Sequence, residues 1–204
     1  ILAMPPTERH AFISSRASII FQNPKASLNP SLSIRQQIDE ALSFHGISDK
    51  AKRRIRILEL CYNVGIRQPE RIIDTYPGEL SDGDCQRIAI AIAIACSPKL
   101  LIADEPTSAL DLRVQNQILR LLKKLNQQQK IALMMISNDF SLVNEDTGKI
   151  AVFYAGQLIE IGAATNVLSS PKHPYSEALL QSQPRLNAAS FKQPLQCLRG
   201  QPPT

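Results

Sequence analysis

Two adjacent carboxylates, Asp104 and Glu105, follow the apolar run of residues 100–103. A short apolar run of this kind predicts a buried strand, and α/β proteins bind ligands at the carboxyl ends of such strands. Phosphoryl transfer needs one carboxylate to hold Mg²⁺, directly or through water, and a second group to orient or deprotonate the attacking water. Asp104 suits the first role and Glu105 the second, although adjacent acids also often cap a following turn.

Three other short segments surround this pair in a fixed order. Residues 80–84 read LSDGD and open a predicted helix, whose N-terminus with Gly83 beside it could bind phosphate through free backbone N–H groups. Far upstream, a β-like run ends in Gln22, within the segment Phe21-Gln22-Asn23-Pro24. Immediately after the acids, residues 108–111 read SALD and end in Asp111.

The elements that must position these residues are predicted from hydrophobic spacing and caps. Ser33 and Gln36 have the spacing of a capping box, and Gly65 is placed to end a second helix. For that second helix, Ala51, Ile55, Leu58 and Tyr62 repeat at helical spacing. The predicted helices and strands are: helices from residue 34, over 51–62, 82–96, 110–125 and 175–180; buried strands over 100–103 and 131–136; and two antiparallel strands within 149–161.

Composition limits the class of protein. The chain has 204 residues, 44% hydrophobic and 20% charged, which is typical of a globular domain. The longest purely apolar run, residues 88–96, is far shorter than the roughly 20 residues of a membrane-spanning helix, so we expect a soluble protein that meets a membrane through partners. The net charge of +5 keeps nucleic acid or an anionic membrane surface open as a partner.

Two residue groups receive structural interpretations. The basic cluster Lys50, Lys52, Arg53, Arg54 and Arg56 is interpreted as the solvated face of its helix. The cysteines show no metal or redox spacing, so we expect Cys61, Cys85 and Cys96 to be reduced core thiols, which fits a reducing cytosol. For Cys197 the sequence shows no partner.

The four short segments, taken in order, resemble the Q-loop, signature helix, Walker B strand and D-loop of an ABC ATPase. Residues 21–24 (FQNP), 27–30 (SLNP) and 171–180 (PKHPYSEALL) are similar to the ATP-binding subunits of dipeptide and oligopeptide importers. Within that family the chain is most similar to the Sap system, which is associated with antimicrobial-peptide resistance. His173 is interpreted as a helix-start residue that marks kinship and holds no ligand.

The resemblance implies a fold and its subdivisions. It implies an α/β P-loop NTPase core of the ABC ATPase type, lacking its N-terminal P-loop part, with an inserted helical subdomain. The expected parts are residues 1–24 as the end of the N-terminal core with the Q-loop, 25–97 as the helical subdomain with the signature helix, 98–169 as the core with Walker B, D-loop and switch region, and 170–204 as the C-terminal extension and tail.

The resemblance also implies roles for individual residues. Glu105, Gln22 and Asn138 would be the catalytic group, while Asp104 and Gln22 would face Mg²⁺. Ser81 and Gly83 would contact the γ-phosphate of ATP bound by a partner ATPase. Asp111 would touch the opposite subunit near the shared site.

The implied function is ATP-driven energy coupling in a peptide transporter, with ATP and Mg²⁺ as cofactors. The expected partners are a second ABC ATPase subunit, identical or different, and the permease subunits in the membrane. No nucleic-acid partner is expected. The expected location is the cytoplasmic face of the bacterial inner membrane, as a peripheral protein.

Three departures from the family pattern matter. No G-x-x-x-x-G-K-[ST] segment occurs among the eight glycines, so the loop that cradles the phosphates is missing and this chain by itself should be inactive. Asn138 stands where the family has its switch histidine, and an amide cannot shuttle a proton. Asp82 and Asp84 stand in the signature segment, where two carboxylates would repel a triphosphate. In the other interpretation, Asp84 caps its own helix together with Ser81.

Two alternatives remain open at the level of sequence. The first is a non-transport ABC ATPase that acts on nucleic acid or ribosomes, which the basic charge favours. Only residues 23–80 separate Gln22 from Ser81, however, which leaves room for a small helical subdomain but not for a long coiled coil. The second is a regulatory pseudo-ATPase, which Asn138 and the altered signature favour.

Overall fold

The computed structural model describes residues 3–143 and 147–182, in two compact units, Ile1–Ile136 and Ser137–Thr204. In the first unit, helices alternate with strands as the sequence predicts for an α/β protein. Its elements are α1 (Pro6–Arg16), β1 (Ala17–Ile20), α2 (Pro24–Ser27), α3 (Ile34–Phe44), α4 (Lys50–Asn63), α5 (Pro69–Ile72), a 3₁₀ turn (Pro77–Glu79), α6 (Asp82–Ile94), β2 (Leu100–Asp104), α7 (Leu112–Gln129) and β3 (Ala132–Ile136).

A parallel sheet lies at the centre of this unit, in the order β1-β2-β3. Its middle strand, β2, delivers the paired acids to its carboxyl end. Leu101, Ala103 and Ile20 lie on one face and are buried. Ile19, Ile102 and Met134 are in register across the other face. The predicted parallel sheet is therefore confirmed, with Gln22 shortly after the end of β1 and Asp104 at the end of the neighbouring β2.

The burial predicted for residues 131–136 is wrong in part. Strand β3 alternates between exposed and half-buried side chains, and Met134 and Ile136 are 52% and 43% exposed. Ile19, in line with Met134, is likewise exposed. Within the first unit, this face of the sheet therefore carries exposed apolar side chains.

The helical segment between Gln22 and β2 follows its predicted caps. The Ser33 hydroxyl accepts from the N–H of Gln36, and the Gln36 side chain accepts from the N–H of Ser33, which forms a complete capping box at α3. Helix α4 ends at Asn63, and Gly65 follows with φ +82°, a left-handed conformation that glycine adopts without strain. Both predicted boundaries are confirmed.

The predicted apolar face of α4 is wrong in part, although Leu58 does pack against the core. Ile55 and Tyr62 are exposed, whereas Ile57, Leu60 and Cys61 are buried. Both sets repeat at helical spacing, so periodicity in α4 does not choose between them. Packing against α3 and α6 decides which face enters the core.

Arg53 corrects the interpretation of the basic cluster as a solvated face. Its side chain is buried, and its Nε lies 2.6 Å from Asp39 Oδ1. Its Nη1 donates to the carbonyls of Ile47 and Ser48, at 2.7 and 2.9 Å. A buried guanidinium is stable only when paired and hydrogen-bonded in this way, so Arg53 joins α3, α4 and the turn between them.

The second unit contains a hairpin and two short helices. Strands β4 (Lys149–Tyr154) and β5 (Gln157–Ala163) pair antiparallel around Ala155 and Gly156, as predicted, and a 3₁₀ turn (Phe140–Leu142) precedes them. Helices α8 (Ala164–Ser169) and α9 (Pro174–Gln181) follow. The expected subdivisions at residues 25–97, 98–169 and 170–204 stay predictions.

The cysteine prediction holds for the described residues. Cys61 and Cys85 are buried and Cys96 is half-buried, all three as free thiols. Burial raises the pKa of Cys61 to about 12 and that of Cys96 to about 11, so both are protonated at neutral pH. Cys197 lies outside the described residues.

The helices of the described residues fall short of what crossing a bilayer requires, in length or in apolar character.

Candidate functional site

Gln22 and Glu105 meet at the carboxyl edge of the sheet. The Gln22 side-chain amide donates to Glu105 Oε2 across 2.6 Å, and both residues are at least partly exposed to solvent. Gln22 follows β1 and Glu105 follows β2, so the parallel register of these two strands brings together residues that are distant in sequence. A carboxylate held in this way by an amide can accept a proton from a water molecule beside it.

Glu105 has an unusual backbone for a residue with a side chain. Its φ is +41°, in the left-handed region that costs a non-glycine residue about 1–3 kcal/mol. Its N–H donates to Ile136 O at 2.9 Å, which continues the β2–β3 pairing past Asp104. The Ser108 hydroxyl donates to the Glu105 carbonyl at 3.1 Å and closes the turn that follows. Pairing with β3 thus holds the Glu105 backbone in a conformation that is unfavourable for a residue with a side chain.

Asp104 is the last residue of β2 and lies on the open face of the sheet, in register with Ile136. The described residues contain no cluster of three or more His, Cys, Asp or Glu side chains that could hold a metal by themselves. Mg²⁺ is usually held by one or two protein oxygens together with phosphates and water. Asp104 and Gln22 fit that kind of site.

The signature segment begins α6 with an ordinary helix cap. Ser81, at φ −67° and ψ 157°, is the N-cap, and its hydroxyl accepts from the N–H of Asp84 at 3.1 Å. The same hydroxyl donates to Asp84 Oδ2 at 2.7 Å. The capping interpretation of Asp84 is therefore confirmed in modified form, because the carboxylate binds the hydroxyl of Ser81 rather than its backbone N–H. In this arrangement the Ser81 proton is already engaged.

Gly83 lies where α6 comes closest to α7. A Cβ at this position would be 2.9 Å from Val114 Cγ1, a distance that real side chains do not tolerate. Beside this contact is an open cavity of about 260 Å³, slightly smaller than the 300–1,000 Å³ typical of ligand pockets. It is lined by Ser81, Asp82, Gly83, Ala109, Leu110, Asp111 and Val114.

Asp111 reaches this cavity as the N-cap of α7. Its carboxylate accepts from the N–H groups of Arg113 and Val114, both at 3.0 Å. The loop before it is fixed by Gln115, whose amide donates to the carbonyl of buried Thr107 at 2.9 Å. The structure therefore brings together Ser81, Gly83 and Asp111, which the sequence grouped only through the family resemblance.

Sequence reasoning missed one residue of this surface, Lys25. Its ammonium lies 2.8 Å from Asp82 Oδ1, and this contact raises the pKa of Lys25. Helix α2, which carries Lys25, packs against α6. The sequence did contain a signal for this pair, because Asp82 in the signature segment and Lys25, three residues after Gln22, carry opposite charges.

The remaining predicted residues lie in the second unit. Asn138 is exposed, next to Ser137, whose hydroxyl accepts from the N–H of Asp139 at 3.0 Å. Its proposed switch role stays a prediction. His173 is the N-cap of α9: its Nδ1 accepts from the N–H of Tyr175 at 3.1 Å, which confirms the helix-start interpretation.

Glu160 completes the start of α9. Its carboxylate accepts from the N–H groups of Lys172 and His173, at 2.9 and 3.1 Å. The neighbouring Ser176 hydroxyl and these two N–H groups hold the pKa of Glu160 below its usual range. Through these bonds, Glu160 of β5 holds the start of α9, within residues 171–180.

Comparison with known families and proteins agrees with the site. The ABC transporter family model matches residues 3–108, and the model for the C-terminal region of oligopeptide/dipeptide transporters matches residues 159–204. The dipeptide transport ATP-binding protein DppD of Haemophilus influenzae is 46% identical over 200 residues, which cover 98% of this chain and 60% of that protein. The oligopeptide transport ATP-binding protein AppD of Bacillus subtilis is 42% identical, over 93% of this chain and 57% of that protein. The chain spans about three fifths of the length of these relatives.

Solved structures give the same fold. A dimeric ATP-binding cassette, MJ0796, bound to ADP and Pi, superposes with a TM-score of 0.68 at 27% identity, over 79% of this chain and 68% of that one. The structure of cbiO1 from Clostridium perfringens, part of the ABC transporter complex cbiONQ, superposes with a TM-score of 0.70 at 26% identity, over 81% of this chain and 64% of that one. The fold and the match of the family model over residues 3–108 lead to one conclusion: the chain belongs to the ABC transporter family.

Proposed function

We propose that this chain is the ATP-hydrolysing, energy-coupling part of an ABC peptide transporter. The observation that carries the proposal is the 2.6 Å contact between Gln22 and Glu105 at the carboxyl edge of a parallel sheet. In this proposal Glu105 would be the proton acceptor and the Gln22 amide would position it, at the end of the sheet where α/β proteins bind ligands. The identity with peptide-transport ATP-binding proteins supports the transport role.

Each site residue then has a task. Glu105 would accept the proton of the attacking water, while the Gln22 amide holds the Glu105 carboxylate in place. Asp104, beside them, would hold the metal side of the nucleotide. Bound Mg-ATP would supply the phosphoryl group and the positive charge that offsets its oxygens.

The cavity at the start of α6 would serve a second nucleotide. By the family resemblance, Ser81 and Gly83 would contact the γ-phosphate held by a second ATPase subunit, and Asp111 would contact that subunit near the shared site. We therefore propose a partner ATPase, the same or a different chain, and permease subunits that move when the two ATPases close and reopen. The proposed location is the cytoplasmic face of the bacterial inner membrane.

The phosphate cradle would come from protein outside this chain. No G-x-x-x-x-G-K-[ST] segment occurs in the 204 residues, and relatives such as DppD are longer. Residues 1–204 alone are therefore expected to bind and hydrolyse Mg-ATP poorly. Equilibrium binding of ATP to this chain, beside the full-length protein, checks that expectation.

We further propose that turnover is slow. Asn138 cannot carry positive charge or pass on a proton, and the Ser81 hydroxyl is engaged by Asp84. Asn138 would impair this subunit's own site, whereas Asp82 and Asp84 would impair the partner's. A faster rate in the Asn138→His variant of the assembled transporter supports the first part, and an unchanged rate contradicts it.

The decisive experiment measures Mg-ATP turnover by the full-length protein assembled with its partners, beside the Glu105→Gln variant. Removing the proton acceptor is expected to lower turnover by at least about 100-fold, the usual contribution of a general base. Glu40→Gln, which changes an exposed glutamate of α3, is the matched control and should leave turnover within twofold.

Two outcomes would lead elsewhere. Bound nucleotide without turnover in either protein would make this a regulatory subunit and would assign the chemistry to its partner. Placement in the Sap branch makes a separate prediction, that loss of the protein raises sensitivity of the cell to antimicrobial peptides. The nucleic-acid alternative predicts salt-dependent binding to duplex DNA, which this proposal expects to be absent.

A further inference from the structure

An ion pair joins α2, which begins two residues after Gln22, to the start of α6. Lys25 Nζ lies 2.8 Å from Asp82 Oδ1, and the two side chains are 48% and 56% exposed. Lys25 is three residues from Gln22, and Asp82 lines the cavity beside Ser81 and Gly83. The pair therefore links the segment just after Gln22, which contacts Glu105, with the surface that would face the second nucleotide.

The segment that carries Lys25 is short but well held. The Asn23 side chain accepts from the N–H of Ala26 at 3.1 Å and caps α2, and the Ser27 hydroxyl donates to Pro24 O at 2.8 Å. Pro24 is buried, and α2 packs against α6. A restraint on Lys25 is thus passed to the backbone next to Gln22.

The pair contributes little to folding. Exposed ion pairs add little to the free energy of folding, and salt screens them. Its effect on a neighbouring anion is different, because Asp82 without Lys25 would add a full negative charge at the helix N-terminus. Asp84 is already there, and the partner described above for its carboxylate is the neutral Ser81 hydroxyl.

We propose that Lys25 is a positioning residue for nucleotide binding, which acts by neutralising Asp82 at the start of α6. The altered signature then presents one uncompensated carboxylate, that of Asp84, to a triphosphate rather than two. This inference rests on the proposed function, since it concerns how the same surface accepts ATP.

The test is a double-mutant cycle in the full-length, assembled transporter. Lys25→Met is expected to raise the KM for Mg-ATP about fivefold, the equivalent of about 1 kcal/mol, with a smaller change in kcat. Asp82→Asn should leave the KM equal or lower. In the double variant the KM should match that of Asp82→Asn, because Lys25 then has no charge to neutralise.

The chain offers a matched control for lost stability. Arg35 and Asp74 form an ion pair of 2.9 Å whose side chains are 49% and 60% exposed, much like the pair of interest. Arg35→Met should lower the thermal midpoint as much as Lys25→Met does, but should leave the KM within twofold. A purely structural role for Lys25 would give both variants the same KM.

The outcomes separate the inference from the function on which it rests. An unchanged KM in Lys25→Met overturns the inference, as does a raised KM in the double variant, which would mean that Lys25 contacts the nucleotide directly. If the wild-type assembly shows no turnover that Glu105→Gln removes, the proposed function has failed, whatever Lys25 does.

Discussion

The carboxyl end of β2 and the start of α6 both carry acidic residues, and they hold them in opposite ways. At β2, the backbone of Glu105 is in the left-handed region at φ +41°, and strand pairing to Ile136 holds it there. At α6, Ser81 has ordinary N-cap angles, and side chains do the rest: Asp84 binds the Ser81 hydroxyl and Lys25 binds Asp82.

This contrast separates what each region can tolerate. A backbone conformation held by strand pairing does not depend on nearby surface charges. Substitutions of those charges should therefore leave the Gln22–Glu105 contact in place. A surface arranged by side chains depends on their charges, and a new acid there needs a compensating partner. Asp82 in the altered signature and Lys25 form such a compensated pair.

The largest effect on stability is expected where α6 meets α7. Gly83→Ala would place a Cβ 2.9 Å from Val114 Cγ1, and the stiff valine cannot turn away. We expect a loss of about 1–2 kcal/mol in the free energy of unfolding, measured by urea denaturation, because overpacking outweighs the gain in helix propensity.

The matched background for this prediction is Val114→Ala. With the valine methyls removed, Gly83→Ala should become neutral or stabilising, since only its helix propensity remains. An equal loss in both backgrounds would show that Gly83 is needed for its backbone and not for space. The start of α6 would then resemble Glu105 more than the contrast allows.

A smaller effect is expected at the helix cap itself. Ser81→Ala removes the acceptor of the Asp84 N–H and the donor to the Asp84 carboxylate, and should cost about 1 kcal/mol of unfolding free energy. Ser33→Ala, at the capping box of α3, should cost a similar amount when measured by the same urea titration. A neutral Ser81→Ala would mean that Asp84 does not depend on the serine.

Local sequence predicted the elements and their caps well. In α7, which overlaps the helix predicted over 110–125, the buried residues Ile118, Leu121, Leu122 and Leu125 recur at helical spacing, and the opposite face is polar. The capping box of Ser33 and the helix end at Gly65 also depend on residues within a few positions of each other. Such short-range signals are complete in the sequence.

What the sequence could not provide depends on distant partners. The buried face of α4 was assigned wrongly because two apolar stripes compete there, and Arg53 enters the core only through Asp39 on another helix. The Lys25–Asp82 pair joins two segments that only the folded chain brings together. The contact of Gln22 with Glu105 depends on the β1–β2 register, which the family resemblance implied but local patterns did not.

The smallest expected effect tests the strained end of the comparison. Glu105→Asn and Glu105→Gln both remove the carboxylate, so both should abolish turnover, but asparagine tolerates positive φ better than glutamine does. We expect Glu105→Asn to be more stable than Glu105→Gln by about 0.5 kcal/mol, because it relieves part of a strain of about 1–3 kcal/mol. The thermal midpoints of the two purified variants measure this difference. Equal midpoints would mean that the backbone relaxes once the carboxylate is gone, and that its contact with Gln22, rather than the sheet, holds Glu105 in its left-handed conformation.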